Sequence, residues 1–331
     1  MARRTQRDIP RHPIGVVAER TGLSQDVLRV WERRYLAVEP SRSLDGQRVY
    51  SDADIDRLRL LRLATMAGRS IRQAAQLTTD ELQRLVREDE AARQKVEHRA
   101  ESAVLASARE EVDRAMELAR AANAPQLESF LRRAAASFGV PVFLDGLAAP
   151  LLRRMGEEWE AGRLTPAQER VATAIIQRVL DGAIQFLAPP YDAPNLLLAT
   201  PAGEHHVMGS VLAAAAAAAD GWRVTYLGPD LPAGEVAAAA VAVDARVVGV
   251  SVVYPRDRDL VLGELRTLRS RLPASVPLIA GGAGAVSLAA ELRGAGIQVV
   301  KDLAALRDAL RSVLARGSET PRHERSVKAL S

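Results

Sequence analysis

The feature that most constrains the fold is a regular alternation in the C-terminal part of the chain. Short apolar runs, which predict strands, occupy residues 196–200, 223–227, 247–253, 278–280 and 297–300. Longer runs between and after them predict helices over residues 207–219, 233–243, 258–272, 286–293 and 302–315. Strands that alternate with helices are typical of an open, doubly wound parallel sheet. The sequence therefore predicts an α/β domain over residues 191–316.

A polar loop joins the first predicted strand of this domain to its first helix. The spacing Glu204-x-His206-x-x-Gly209 places a carboxylate, an imidazole and a glycine in that loop. Loops at strand ends form the ligand-binding edge of such sheets, and a metal-ligating histidine commonly donates its second ring N–H to a carboxylate. We therefore interpret His206 as a ligand and Glu204 as its partner, and expect the neighbouring His205 to be exposed. The alternative is a glutamate that merely stabilises a helix N-terminus.

Two more predicted strands end in small or polar residues. Ser251-Val252-Val253 ends the third strand, and Gly281-Gly282 ends the fourth. Because the carboxyl ends of parallel strands share one edge, these residues and the Glu204 loop should surround a slot for a flat or elongated ligand. Glycine is suited to such a slot because it lets a ligand approach the backbone. Taken singly, the serine could simply end a buried strand and the glycines could form a tight turn.

The first 80 residues have a different character. They predict two short helices around the turn Thr21-Gly22-Leu23-Ser24, in which Ser24 is a helix cap, and then a hairpin at Asp45-Gly46. This order is typical of a helix-turn-helix with a β wing. Residues 1–78 carry 15 Arg and Lys against 9 Asp and Glu, whereas the net charge of the whole chain is +4. The excess of positive charge in this segment indicates a polyanionic partner.

The candidate DNA contacts lie on the second helix and on the wing. For the arginines the alternative is a solvated face, and for Trp31 and Tyr50 it is core packing. The predicted DNA-binding residues are Gln25, Arg29, Arg33, Tyr35, Arg42, Arg48 and Tyr50.

This segment closely resembles the MerR family of transcription regulators. The matching residues run from Ile14-Gly15-Val16-Val17-Ala18 through Leu28-Arg29-Val30-Trp31-Glu32-Arg33-Arg34-Tyr35, and continue at Gly46-Gln47-Arg48-Val49-Tyr50-Ser51. The resemblance implies that the second helix enters the major groove of operator DNA and that the wing touches the flanking backbone.

Residues 81–190 form a charged and then apolar helical region, which predicts a linker helix and a four-helix bundle. Trp159 ends one predicted helix, and Glu169-Arg170 begins the next after nine intervening residues. On their own, these residues could be a core tryptophan and a glutamate near a helix N-terminus.

The α/β domain resembles the cobalamin-binding domain of methionine synthase and corrinoid proteins, in which the motif histidine binds cobalt. The whole order of segments resembles the light-responsive repressors of the CarH type. That resemblance implies adenosylcobalamin as cofactor, His206 as lower cobalt ligand, Trp159 over the upper corrin face and Glu169 at the adenosyl group. It also implies a homo-oligomer that light takes apart to release DNA. The cofactor-binding residues implied are Trp159, Glu169, Glu204, His206, Val207, Gly209, Ser251, Val253, Gly281 and Gly282.

One position departs from that family. The family pattern is Trp, nine residues, Glu-His, whereas this chain has Trp159 and then Glu169-Arg170. The family histidine captures cobalt after photolysis, but an arginine stays protonated and has no lone pair to give. The photochemical outcome is therefore open, and another cobalamin form or a different tetrapyrrole is the alternative ligand.

Composition limits the other function classes. Cysteine is absent, which excludes disulfides and thiolate metal sites. No run is long and apolar enough for a membrane span, so we expect a cytoplasmic protein with no membrane partner. The sequence predicts a regulator and not an enzyme; a corrinoid enzyme subunit or methyl carrier is the weaker reading. Residues 317–331 are predicted to be a disordered tail.

Overall fold

The structure is a computed structural model that describes residues 9–187, 189–255 and 257–318, apart from the side chains of residues 97, 98, 317 and 318. The chain divides into two compact units, with the boundary between Ser102 and Ala103. Most of the predicted disordered tail, residues 319–331, lies outside the described residues, whereas residues 317 and 318 continue the last helix. Within the described residues, no helix has the length and hydropathy that a membrane span requires.

The first unit is a small helical domain with a three-stranded antiparallel sheet. Its elements are β1 (His12–Pro13), α1 (Ile14–Thr21), α2 (Gln25–Tyr35), β2 (Ser41–Arg42), β3 (Arg48–Tyr50), α3 (Asp52–Met66) and α4 (Ile71–Ala74). Gly22 ends α1 in the left-handed conformation, and the Ser24 hydroxyl caps α2 by accepting from Val27 N–H. The turn between these two helices therefore forms as its residues predict.

Strand β1 was not predicted. It pairs with β3 at the base of the wing, so that His12 lies opposite Tyr50 and Pro13 opposite Val49. A two-residue strand that ends in proline has no hydrophobic alternation to reveal it. The wing is therefore a three-stranded sheet with the predicted hairpin as its outer part.

The helical part of the second unit begins within the long helix α5 (Thr79–Arg120). It continues with α6 (Ala124–Phe138), α7 (Val140–Val142), α8 (Ala149–Glu160) and α9 (Pro166–Leu187). The helical run over residues 140–160 is not uniformly α-helical, because Phe143–Ala148, between α7 and α8, is π-helical. Pro150 in the first turn of α8 cannot donate a backbone hydrogen bond, and its ring crowds the carbonyl of Gly146; a wider π turn accommodates both effects.

The α/β part contains the predicted five-stranded parallel sheet, in the order β5-β4-β6-β7-β8. Its strands are β4 (Asn195–Ala199), β5 (Arg223–Tyr226), β6 (Val247–Ser251), β7 (Leu278–Gly281) and β8 (Gln298–Val299). Its helices are α10 (Met208–Ala219), α11 (Ala233–Ala242), α12 (Arg258–Arg271), α13 (Ala283–Ser287), α14 (Ala289–Gly294) and α15 (Leu303–Ser318). The predicted fold class, a helix-turn-helix head followed by a helical bundle and a doubly wound parallel sheet, is confirmed.

One strand end and one helix of the α/β part differ clearly from the prediction. The third strand ends at Ser251, two residues earlier than predicted, because the Val253 N–H donates to a loop carboxylate and not to a neighbouring strand. The helix predicted over residues 286–293 starts directly after Gly282 and is split into α13 and α14. The positive φ of Gly282 turns the chain into α13 immediately after β7.

Helix α10 belongs to two apolar cores. One side of α10, including Val211 and Ala215, packs with the bundle helices in a single buried cluster. Its other side, including Ala214 and Ala217, packs on the sheet together with α15. The small alanine side chains allow close approach on both sides. The helix that follows the Glu204 loop is therefore shared by the bundle and the sheet.

Candidate functional site

The centre of the candidate site is the carboxylate–imidazole pair in the loop after β4. Glu204 Oε1 lies 2.6 Å from His206 Nδ1 and accepts the backbone N–H of His206 at 2.9 Å. Glu204 is 1% exposed, whereas the His206 side chain is 52% exposed. With Nδ1 engaged, the other ring nitrogen, Nε2, is left to meet a ligand.

The second oxygen of Glu204 joins this loop to the end of β6. Oε2 accepts the N–H of Val253 at 2.7 Å and the N–H of Tyr254 at 2.8 Å. Burial alone would raise the pKa of Glu204, but these backbone donors, the His206 N–H and the imidazole together lower it. The carboxylate is therefore ionised at neutral pH and fully hydrogen-bonded.

The loop is also fixed from the opposite side. Asp230 Oδ1 accepts the Gly203 N–H at 2.8 Å, and the Thr200 hydroxyl donates to the Glu204 carbonyl oxygen. Asp230 itself has a positive φ, which aspartate tolerates better than most residues. These two side chains were missed by the sequence reasoning, although the Gly228-Pro229-Asp230 turn marked the loop that supplies one of them.

Gly209 and Ser251 lie together at the edge of the sheet. A Cβ at Gly209 would collide with the Ser251 hydroxyl. That hydroxyl is buried and has no hydrogen-bond partner in the structure. A buried polar atom without a partner is rare and calls for an explanation, such as a ligand. The buried Ser251 hydroxyl therefore lies directly against the first turn of α10.

The two glycines at the end of β7 complete this edge. Ser251 and Gly281 are register partners in adjacent parallel strands, and Val252 N–H donates to Gly281 O at 2.9 Å. Gly282 has φ +95°, and a Cβ there would collide with the Val252 carbonyl. Val207 and Val253 are half-buried beside these residues. The predicted residues from β4, β6 and β7 thus meet along one edge, and His205 is exposed as expected.

The bundle residues singled out lie at one helix junction. Trp159, near the end of α8, is 48% exposed, so the reading as a core tryptophan is wrong. Glu169 in the first turn of α9 accepts from the Thr173 hydroxyl at 2.8 Å, and Arg170 is exposed. The adjacent Glu158 is buried between Arg120 and Arg163, whose hydrogen bonds lower its pKa to about 2.

The exposed face of α2 carries most of the predicted DNA contacts. Gln25, Arg29 and Arg33 are exposed, and Tyr35 is half-buried. Arg29 pairs with Asp26 one turn earlier at 2.9 Å, an exposed contact that DNA can displace at little cost. Trp31 is buried in the core of the unit, as the packing alternative held.

The wing brings one correction. Tyr50 is fully buried, and its hydroxyl donates to Glu32. The prediction that Tyr50 contacts DNA directly is therefore wrong, and the alternative of core packing holds. Arg48 donates to the same carboxylate at 3.0 Å, which neutralises part of its charge. Arg42 is exposed and spans the hairpin tip by donating to Gly46 O. Arg42 is therefore the freer of the two wing cations. The sequence offered no signal for Glu32, which lies on the neighbouring helix.

A winged helix-turn-helix joined to a helical bundle and a corrinoid-type α/β domain defines a ligand-sensing DNA-binding regulator. Models of three families match the chain: the MerR HTH family regulatory protein at residues 13–81, and B12 binding domains at residues 96–182 and 194–307. The HTH-type transcriptional repressor CarH of Myxococcus xanthus is 32% identical and covers 87% of this chain and 92% of that protein. The repressor CarA of the same organism is 34% identical over 82% of this chain and 86% of CarA. The chain belongs to the CarH family of MerR-type, cobalamin-binding transcriptional regulators.

A solved structure is also similar in its fold. The monomethylamine corrinoid protein of Methanosarcina barkeri is 17% identical, with a TM-score of 0.49, and the match covers 64% of this chain and 99% of that protein. The curated relatives are repressors, which favours a regulator over an enzyme.

The residues present fit cobalamin. The imidazole of His206 has its Nδ1 engaged by Glu204 and is otherwise half exposed. The buried Ser251 hydroxyl has no partner, and Gly209 beside it has no room for a Cβ. An exposed imidazole nitrogen and a buried hydroxyl without a partner, at the same edge of the sheet, suit a cofactor that brings both a cobalt ion and a polar tail.

Proposed function

We propose that the chain is a light-sensing repressor that uses adenosylcobalamin to control its assembly on operator DNA. The observation that carries this proposal is the Glu204–His206 pair beside the unpartnered Ser251 hydroxyl, in a chain whose first unit is a MerR-type head. The similarity to the repressors CarH and CarA over most of the chain supports the repressor part. The light-sensing part rests on the resemblance of the order of segments to the light-responsive repressors of the CarH type.

In this proposal His206 would bind the cobalt of cobalamin through Nε2. Glu204 holds the Nδ1 edge of the imidazole and so directs Nε2 outward, and its negative charge makes the ring a better donor. Ser251, Gly209 and Gly282 line the space for the nucleotide tail, because their side chains are small and Ser251 offers a free hydroxyl. When bound, adenosylcobalamin supplies a cobalt–carbon bond that light can cleave.

Trp159 and Glu169 are proposed to meet the upper side of the cofactor. Trp159 is the large exposed aromatic side chain at the α8–α9 junction, and Glu169 is half-buried one turn into α9. The Glu158 carboxylate holds this junction through Arg120 and Arg163. The junction thus offers a flat apolar surface and a hydrogen-bonding carboxylate at fixed positions.

Helix α10 provides the physical link between the two sides of the site. It begins two residues after His206 and packs against α9, which carries Glu169, through the shared apolar core. We infer that bound adenosylcobalamin, held by His206 and Glu169, would tie α10 to α9, and that without this tie the bundle surface available for self-association would change. In the dark, with the cofactor bound, the protein would be a homo-oligomer, a dimer or tetramer, that binds double-stranded operator DNA.

Arg170 favours a second candidate function. Because arginine cannot ligate cobalt, the same regulator could read another form of cobalamin, without a protein imidazole replacing the upper ligand. In that case the presence of cobalamin, and not light, sets the DNA affinity.

The experiment that separates these functions uses the full chain and a DNA fragment that the protein itself selects from a random pool. We expect retarded DNA with adenosylcobalamin in the dark and free DNA after green light. Equal retardation in dark and light, with cobalamin still required, would support the second candidate. DNA retardation that is the same with and without cobalamin contradicts both candidate functions.

A further inference from the structure

Tyr254 lies beside the His206 imidazole but was not among the predicted site residues. The two ring centroids are 6.4 Å apart, and the ring planes are tilted by 54°. This separation is within the range of aromatic contacts. Tyr254 is also 57% exposed, so one part of its ring faces the imidazole while the rest remains accessible at the same edge of the sheet.

The backbone around Tyr254 is held by the same carboxylate that orients the imidazole. The Tyr254 N–H donates to Glu204 Oε2 at 2.8 Å, while Oε1 binds the imidazole at 2.6 Å. On its other side, Pro255 lies against α13, where a Cβ on Gly284 would come within 2.6 Å of the proline ring. The proline also favours an extended backbone at Tyr254. The backbone that carries the phenol ring is therefore held in one position.

The hydrogen bond to Glu204 fixes only one edge of the imidazole. The ring can still swing about its bond to Cβ, since terminal torsions of this kind are broad. A bulky ring on one side narrows that swing and keeps Nε2 aimed outward. The same ring offers a flat, partly apolar face with a polar tip, next to the nitrogen that meets the ligand.

We propose that Tyr254 is a positioning residue of the cobalamin site: its ring limits the orientation of the His206 imidazole and adds an aromatic wall beside the cobalt ligand. This inference rests on the proposed function, because it takes His206 as the lower ligand. Without the Tyr254 ring, cobalamin binding would have to order the imidazole. An ordering cost about the size of one ring contact, about 0.5–1.5 kcal/mol, lowers the affinity roughly 2- to 13-fold.

The test compares Tyr254→Ala and Tyr254→Phe with Tyr191→Ala. Tyr191 is an exposed tyrosine that precedes the amino end of β4, whereas the site lies at the carboxyl ends of the strands. Cobalamin affinity is measured by absorbance titration, and the imidazole–cobalt contact by nitrogen splitting in the electron paramagnetic resonance spectrum of the bound Co(II) form. We expect Tyr254→Ala to weaken binding within that 2- to 13-fold range and to broaden the nitrogen splitting. Tyr254→Phe and Tyr191→Ala should match the wild type in both measurements.

The outcomes separate this inference from the proposed function. If wild-type protein shows nitrogen splitting that His206→Ala abolishes, but Tyr254→Ala behaves as the wild type, the role of Tyr254 is wrong and the proposed function stands. If the wild type shows no imidazole nitrogen, both are wrong. Loss of affinity in Tyr254→Phe equal to that in Tyr254→Ala would overturn the ring-wall account in favour of the hydroxyl.

Discussion

At the scale of single residues, one carboxylate organises the site. Glu204 accepts hydrogen bonds from the His206 imidazole and from three backbone N–H groups, which come from two different loops. Buried carboxylates are stable only when they are paired and fully hydrogen-bonded. Glu204 therefore both orients the imidazole and keeps the ends of β4 and β6 in register.

We expect His206→Ala to weaken cobalamin binding by at least about tenfold, since even partners of a metal-ligating histidine have effects of 10- to 100-fold. The absorbance spectrum of bound cobalamin should change as well, because the lower ligand is lost. His205→Ala is the matched control: it removes an exposed imidazole next to the proposed ligand. Equal effects of the two substitutions, or none in either, would contradict the assignment of His206.

Arg170 gives a second prediction at this scale. After illumination, the upper cobalt position in the wild type should hold water or another small ligand, because the guanidinium cannot coordinate. Arg170→His should then produce a spectrum that indicates two imidazole ligands. Its lit state should also last longer, which is measured as a slower return of the protein to its dark state. A stable two-imidazole spectrum in the unaltered lit protein would show that a different histidine reaches cobalt.

The spacing of Glu204 and His206 was enough to predict their pairing, because residues two apart in a loop are close whatever the tertiary structure. The donors from Val253 and Tyr254 could not be predicted, since they come from a loop about 50 residues away. The partner of the buried Tyr50 hydroxyl could not be predicted either, because Glu32 comes from α2. The sequence of one segment does not show which distant residues contact it.

At the scale of elements, the junction of α5, α8 and α9 depends on one buried acid. Glu158 binds Arg120 at 2.7 Å and Arg163 at 3.2 Å, and its backbone carbonyl accepts the Arg163 N–H. It thereby joins the end of α5 to the turn between α8, which carries Trp159, and α9. The stability of this junction should follow the ionisation of that carboxyl group.

The pKa of Glu158 falls from 4.5 to about 2 in the folded protein. Its contribution to the free energy of unfolding is therefore complete above about pH 4.5 and is lost as the pH falls toward 2. We expect Glu158→Gln to lower the thermal midpoint at pH 7, with a difference from the wild type that shrinks as the pH falls below 4.5. Helical circular dichroism measures both midpoints.

Glu157→Gln is the control for that experiment, because Glu157 is exposed next to Glu158. It should leave the thermal midpoint unchanged at every pH. A difference between Glu158→Gln and the wild type that stays constant from pH 7 to pH 3 would contradict the account.

The helix α2 and the wing should read DNA differently. Arg29→Ala is expected to relax sequence preference by about 1–3 kcal/mol at the base pair it contacts. Arg42→Ala should weaken binding to all sequences alike and reduce the salt slope by about one, because it removes a phosphate contact. Fluorescence anisotropy with operator and scrambled DNA at several salt concentrations measures both effects.

Arg246→Ala, an exposed arginine of the α/β domain, is the control for the DNA experiment and should change neither quantity. A salt-independent affinity, or the same relaxation of sequence preference in Arg42→Ala, would contradict the assigned roles. Arg42 is preferred to Arg48 here because removing Arg48 would also leave the buried Glu32 without one of its partners.

Most helices and strands followed from periodicity and caps. The β4–α10 unit was predictable because a fully apolar run precedes a polar loop and an alanine-rich helix. The π-helical stretch Phe143–Ala148 and strand β1 were not, since neither follows from a repeating hydrophobic pattern. The sequence predicts regular elements well and their interruptions poorly.

At the scale of the whole molecule, charge and chemistry are divided along the chain. The first 78 residues carry six excess positive charges, whereas the rest of the chain has a slight negative excess. The candidate cobalamin residues, by contrast, all lie between Trp159 and Gly282. The proposed function therefore requires a signal that starts in the second unit and changes how the DNA-binding heads are brought together.

The most direct test of this account is size-exclusion chromatography of the full chain with adenosylcobalamin, with absorbance recorded in the dark and after green light. We predict a larger species in the dark that carries the cobalamin spectrum, and a smaller species after illumination. His206→Ala should elute as the smaller species in both conditions. An elution volume that is the same without cobalamin, with it in the dark and after light would contradict the account.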